Sequence, residues 1–217
     1  PDRVVVVGGE ELISAETFTR LEEVCSGSVE RLGADDSTVT SAQVLETFPP
    51  VDPSTVHVTP AHSSGLPPTI SLAAAVAGQA VVACEPASPP VGLLPVLSRT
   101  QPQRLLLAGD ETEWPTETVE ALRTATGATV EFWGSQGPMV LAADLWADTP
   151  PGGEVIVTGR SPVELLTATV AAVHTGAAHL LFAAHFVPPV VQDAVTRLAP
   201  RHIVLAGTTK ALNTDVR

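Results

Sequence analysis

The chain has 217 residues, 44% hydrophobic and only 16% charged, far from a disordered composition and long enough for two bodies that each bury a core. Asp and Glu number 24 against 11 Lys and Arg, a net charge of −13, so phosphate backbones and anionic lipid meet a repulsive field and nucleic acid is not an expected partner. No apolar run approaches the ~18 residues of a membrane helix, so membrane insertion is not expected either.

Along the chain, "VVVVGG" (Val4 to Gly9) reads as a buried strand closed by a glycine turn. Ser14 then caps a helix whose apolar face is Phe18, Leu21 and Val24 or Cys25. A short strand over Val29 to Leu32 leads to Asp35-Asp36, and Pro49-Pro50 marks an exposed, semi-rigid seam. Thr55 to Pro60 is the next strand, Ser63 to Thr69 ("SSGLPPT") the least regular stretch, and Pro86 to Pro90 a proline-rich entry to a helix. "LLLAGD" (Leu105 to Asp110) repeats the opening strand and turn. After it come Trp114, Pro115 in a first helical turn, the stripe Val119, Leu122 and Ala125, and a strand over Thr129 to Trp133. Pro150-Pro151 is a second seam, and "IVLAGT" (Ile203 to Thr208) is a third copy of the opening pattern. Continuous apolar strands alternating with helices predict an α/β fold of parallel sheets flanked by helices, in Rossmann-like or Toprim-like modules.

The chain is self-similar at a stride of about 100 residues. Arg3 to Gly33 aligns with Arg104 to Gly134, taking Gly9 with Gly109 and allowing one inserted residue, and both stretches run on to a Pro-Pro pair. Thr55 to Pro60 answers Glu154 to Gly159, and Ala77 to Pro90 answers His174 to Pro189. This predicts tandem repeats: residues 1–50 as the C-terminal half of one, 51–151 as a complete central one, and 152–217 as the N-terminal half of another plus the start of its second half. Residues 1–48 could pair with 152–217 to complete a module.

The glycine turns lack the GxGxxG and GxxxxGK[ST] spacings, and Glu10 and Glu11 would oppose a phosphate, so a nucleotide- or sugar-phosphate-binding enzyme is the weaker reading. The six histidines show no HExxH or His-x₃-His spacing: His57 lies in a strand, His174 and His179 flank Gly176, His185 follows a strand, and His62 and His202 lie far off. No metal or other cofactor is expected; for Asp35-Asp36 and Asp110-Glu111, solvated turns outrank calcium sites. There is no GxSxG elbow, Cys25 is explained by packing, and an enzyme is not expected. Whether Cys25 and Cys84 form a disulfide is open. Of the three tryptophans, Trp114 is the candidate exposed stacking platform, while Trp133 and Trp146 are expected to pack. Pro1 is preceded by no leader, which fits a mature secreted form, an excised piece or a cytosolic protein.

"VVVVGGEELISAETFTRLEE" with "VERLGADDSTVTSAQVLETF" resembles the C-terminal half of the cell-wall-binding repeat 2 family at Gly8, Gly9, Ile13, Ser14, Arg31, Gly33, Ala34, Asp35 and Thr40. "GQAVVAC" (Gly78 to Cys84) and "GAAHLLF" (Gly176 to Phe182) echo its N-terminal half. Asp36 and Ser37 replace the family's Arg-Tyr, "GSQGPMVLAA" (Gly134 to Ala143) keeps neither that pair nor the acid, and the family's early Asp-Ala pair is missing from both copies. The resemblance implies a non-catalytic module anchoring a bacterial surface protein to a cell-wall polymer, extracellular or in the envelope, with repeats in pseudo-threefold packing or a homo-oligomer. The alternative is a degenerate repeat serving as a protein-interaction scaffold in the envelope. Implied polymer-binding residues are Gly8, Gly9, Arg31, Asp35, Asp36, Gly109, Asp110 and Trp114, on loops at the carboxyl ends of strands that include Gly8 to Glu11, Asp110 to Glu113 and Thr208-Thr209. The single lysine, Lys210, suits a high-GC, actinobacterial Gram-positive source.

Overall fold

Each apolar run becomes a parallel strand in a computed structural model that describes residues 2–34, 36–61, 66–159, 161–181 and 186–207, without the side chains at 66 and 68. The strands form three sheets. β1 (Arg3–Val7) pairs with β2 (Ser28–Leu32). β3 (Thr55–Pro60), β4 (Ala80–Cys84), β5 (Arg104–Gly109) and β6 (Thr129–Gly134) lie in the order β4-β3-β5-β6, and β7 (Glu154–Thr158), β8 (Ala178–Leu181) and β9 (His202–Ala206) in the order β8-β7-β9. Among the described residues β1 and β2 form a ladder only with each other, so residues 2–50 share no sheet with β7, β8 and β9.

The ladders keep one register. Arg3 faces Ser28 in the first sheet and Arg104 faces Thr129 in the second, so the offset between the two pairs is identical and no residue is inserted. Val56 pairs with Ala80 and Leu105, as Val155 pairs with Ala178 and Ile203. The counterpart of Gly109 is therefore Gly8 and not Gly9: Gly8 and Gly109 have φ of +130° and +107°, a region that side chains avoid. Gly33 packs so closely on Gly8 that a Cβ would lie 2.7 Å from the Gly8 Cα.

Eight helices cover the sheets: α1 (Ala15–Val24), α2 (Ser37–Thr47), α3 (Leu66–Ala77), α4 (Leu94–Thr100), α5 (Thr116–Thr126), α6 (Pro138–Leu145), α7 (Pro162–Thr175) and α8 (Pro189–Leu198). The Ser14 hydroxyl caps α1, accepting from Thr17 N–H at 3.2 Å. The stretch expected to be least regular enters α3 at Leu66.

Every residue of β3 is buried, because helices cover both faces. On one face Val56, Val58, Val82, Leu105 and Leu107 meet Val96 and Leu97 of α4, Val119 and Leu122 of α5, and Ala42 and Leu45 of α2. Helix α2 follows the strands of the first sheet yet closes the core of the second, and its Ser41 hydroxyl accepts from Ala83 N–H on edge strand β4 at 3.0 Å. Helix α6 does the same one sheet later, where Ala143 joins Val155, Val157, Ala178 and Leu180 under Val191, Ala194 and Leu198 of α8. On the opposite side α3 and α7 pack together, with Leu72 against Ala168, Ala172 and Ile156. Fully burying one such leucine is worth about 1.5–3 kcal/mol. Both thiols are free: Cys25 is half-buried at the end of α1, and Cys84 is buried in the second core.

His179 on β8 is buried, its Nε2 2.9 Å from the Thr158 hydroxyl, and burial lowers its pKa to about 4. An unfolded histidine titrates near 6.5, so below that pH the unfolded chain takes up a proton that the folded chain refuses. Stability is thus lost as pH falls from about 6.5 to about 4, by about 3 kcal/mol from this group. Urea unfolding at pH 7 and pH 4.5 is expected to show a smaller acid loss in His179→Gln than in the native chain; an equal loss would contradict this assignment.

Candidate functional site

The residues singled out from the sequence fall at the carboxyl ends of the strands, in two groups on two sheets. In the first, Gly8 and Gly9 are buried, and the Arg31 guanidinium donates to the carbonyls of Gly8 and Ile13, both at 2.8 Å, while lying 4.9 Å over the Phe18 ring. Arg31 thereby ties the loop between β1 and α1 to β2. Asp36 caps α2, accepting from Thr38 N–H at 2.6 Å and Val39 N–H at 3.3 Å. Asp35 and Thr208-Thr209 lie outside the described residues.

In the second group Asp110 accepts from the Thr112 hydroxyl and from Thr112 N–H at 2.8 Å, and the hydroxyl bond above all holds its carboxyl below the ordinary range. The Glu113 carboxylate turns back to Asp110 N–H at 3.4 Å and fills the space over Gly109, where a Cβ would lie 2.7 Å from it. A phosphate would need the place this carboxylate holds. Over Gly207 the Glu164 carboxylate lies 3.2 Å from where a Cβ would be. Trp114 requires a correction: it is 2% exposed, and its indole N–H donates to the Ala108 carbonyl at 2.9 Å, so it is a core residue and not a stacking platform.

The described histidines are likewise engaged in packing. His57 is buried on β3 with Nε2 2.8 Å from Gln79 Oε1, and the Gln79 amide donates to Asp52 at 3.1 Å. Its ring centroid lies 5.1 Å from that of Trp133, and desolvation leads the causes that lower its pKa. His202 meets Glu154 at the edge of the third sheet at 2.9 Å. His62 and His185 lie outside the described residues. Among the described residues no three His, Cys, Asp or Glu gather as metal ligands.

Two concavities remain near the second sheet. A groove of about 310 Å³ runs past Pro49, Pro50 and Pro53, and its charged groups, Glu46 and Arg99, neutralise each other at 2.6 Å. A cleft of about 180 Å³ opens where β6 ends, lined by Phe132, Trp133, Gly134, Ser135, Gln136, Val140, Leu141 and Asp144. Sequence reasoning assigned Trp133 to packing and singled out neither Gln136 nor Asp144. The available signal was a tryptophan at a strand end, a short polar loop, and an acid two turns into the next helix.

Compared with solved structures, the chain matches Cwp8 from Clostridium difficile with a TM-score of 0.79 at 20% identity, over 99% of its own length and 37% of that protein. It matches Cwp6 from Clostridium difficile with a TM-score of 0.74 at 13% identity, over 100% of its length and 35% of that protein. The chain spans little more than a third of either, and the likeness establishes a shared fold. No family profile and no curated protein matches the sequence.

Replacing Trp114 by Ala empties a core position beneath the turn it supports, and the expected cost is about 3–5 kcal/mol in urea unfolding. A loss under about 1 kcal/mol would show that the ring does not carry core packing.

Proposed function

We propose that this chain is a non-catalytic module associated with a bacterial cell wall, extracellular or in the envelope, that contacts a wall polymer with the carboxyl-end side of its central sheet. The observation that carries the reading is the end-to-end match to Cwp8, a cell wall protein, together with a sheet register that recurs within the chain. The recurrence supports a division into a C-terminal half at residues 1–50, a complete unit at 51–151 and an N-terminal half from 152.

The helix packing supports a further unit beyond these. Leu72 of α3 is 1% exposed because α7 covers it, whereas Val170, at the matching place on α7 when Gly78 is laid on Gly176, is 69% exposed. Leu166, Val170 and Val173 make a stripe suited to another helix of the same kind, in the same chain or a second copy.

Burial supports the non-catalytic reading: it pushes the Cys84 thiol up to about 12, and His57 and His179 are structural. Arg31, Asp36 and Asp110, with the turns at Gly8, Gly9 and Gly109, shape the loops bordering the polymer. The second reading, an envelope scaffold that binds protein, is favoured by the net charge of −13, which repels an anionic polymer.

Co-sedimentation with purified Gram-positive cell walls separates the two. The chain is expected to pellet with intact walls and to stay in the supernatant with walls stripped of their secondary polymers. Remaining in the supernatant with both would remove the polymer reading and leave the scaffold.

A further inference from the structure

We propose that the cleft at the end of β6 is a subsite for a single pyranose unit without anionic substituents, packed on Trp133 and hydrogen-bonded by Asp144; the choice of a sugar rests on the wall reading above. Three features of the cleft and one comparison within the chain carry this.

The first is size. Pockets for drug-sized ligands run to roughly 300–1,000 Å³. A cleft of about 180 Å³ suits one ring and is too small for a nucleotide. The second is the division of its wall. Phe132, Trp133, Val140 and Leu141 supply apolar surface, and Ser135, Gln136 and Asp144 supply hydrogen-bonding groups. A pyranose has the same two sides, a face of C–H groups and an edge of hydroxyls. Trp133 is held in place by the His57 ring and by packing with Ile70, Ala108 and Leu141, so the platform exists before ligand arrives. The third is charge. The lining contains one carboxylate and no lysine or arginine, in a chain of net charge −13, so phosphate and uronate groups are disfavoured.

The comparison is with the first unit, where the corresponding place is plugged. There the Gln43 side chain accepts from Gly33 N–H at 2.7 Å, and the Thr40 hydroxyl accepts from Ala34 N–H at 3.1 Å. The offset that lays Gly33 on Gly134 lays Gln43 on Asp144 and Thr40 on Leu141. In the central unit the long amide is thus replaced by a shorter carboxylate and the hydroxyl by a buried leucine. A self-satisfied corner becomes an open cleft with an ionised acceptor at its edge, and charge-assisted hydrogen bonds are the strong ones.

The test uses the full chain and the methyl glycosides of glucose, galactose and N-acetylglucosamine, with galacturonate and glucose 1-phosphate as anionic probes. Saturation-transfer NMR is expected to show transfer to at least one methyl glycoside and to neither anion. Asp144→Gln, which restores the plugging residue at an exposed position, is expected to weaken binding at least tenfold with an unchanged thermal midpoint. No transfer to any methyl glycoside, undiminished binding by the variant, or preference for the anions would overturn the proposal. A chain that pellets with walls but takes up no methyl glycoside refutes the cleft and leaves the wall reading standing. Glycoside binding lost in Asp144→Gln, by a chain that does not pellet, supports the cleft and refutes the wall reading.

Discussion

A parallel sheet must be covered on both faces, and in this chain one cover is supplied by the preceding segment. Helix α2 closes the core over Val56, Val58 and Val82, and α6 closes the one over Val155, Val157 and Leu180. Neighbouring sheets are therefore not beads on a string: each shares apolar contact area with the helix that arrives from the sheet before. The Ser41 hydroxyl, accepting from edge strand β4, adds a polar contact to the same junction.

That arrangement leaves the carboxyl ends of the strands to loops, and the loops satisfy themselves. Arg31 is engaged by two carbonyls and an aromatic ring, Asp36 and Asp110 by the amides they cap, and Glu113 by the turn that it folds over. Groups so engaged define shape more than they bind. The free polar chemistry at these ends shifts to Ser135, Gln136 and Asp144, where the plugging residues of the first unit are absent.

The sheets were legible in the sequence because a strand buried on both sides must be apolar at every position, as in Val4 to Val7 and Leu105 to Leu107. Ser14 was legible as a cap for the equally local reason that its hydroxyl reaches only three residues on. Trp114 was not, because its burial depends on a carbonyl at Ala108 that the turn folds beneath it. The cleft was hidden for a similar reason: Trp133 and Asp144 share a wall only because of the angle at which α6 leaves Gly137. The Pro-Pro pair at 49–50 marked a seam along the chain but not a break in packing, since Ala42 and Leu45, just before it, belong to the core formed after it.

The shared-cover account is tested most directly at Leu45, a residue of the first segment. All three tryptophans, Trp114, Trp133 and Trp146, lie beyond the seam, so tryptophan fluorescence reports the unfolding of the central segment alone. In urea titrations followed this way, Leu45→Ala is expected to lose about 2–5 kcal/mol in a single transition. A tryptophan-detected midpoint that does not move, with residues 2–50 melting on their own, would contradict the account.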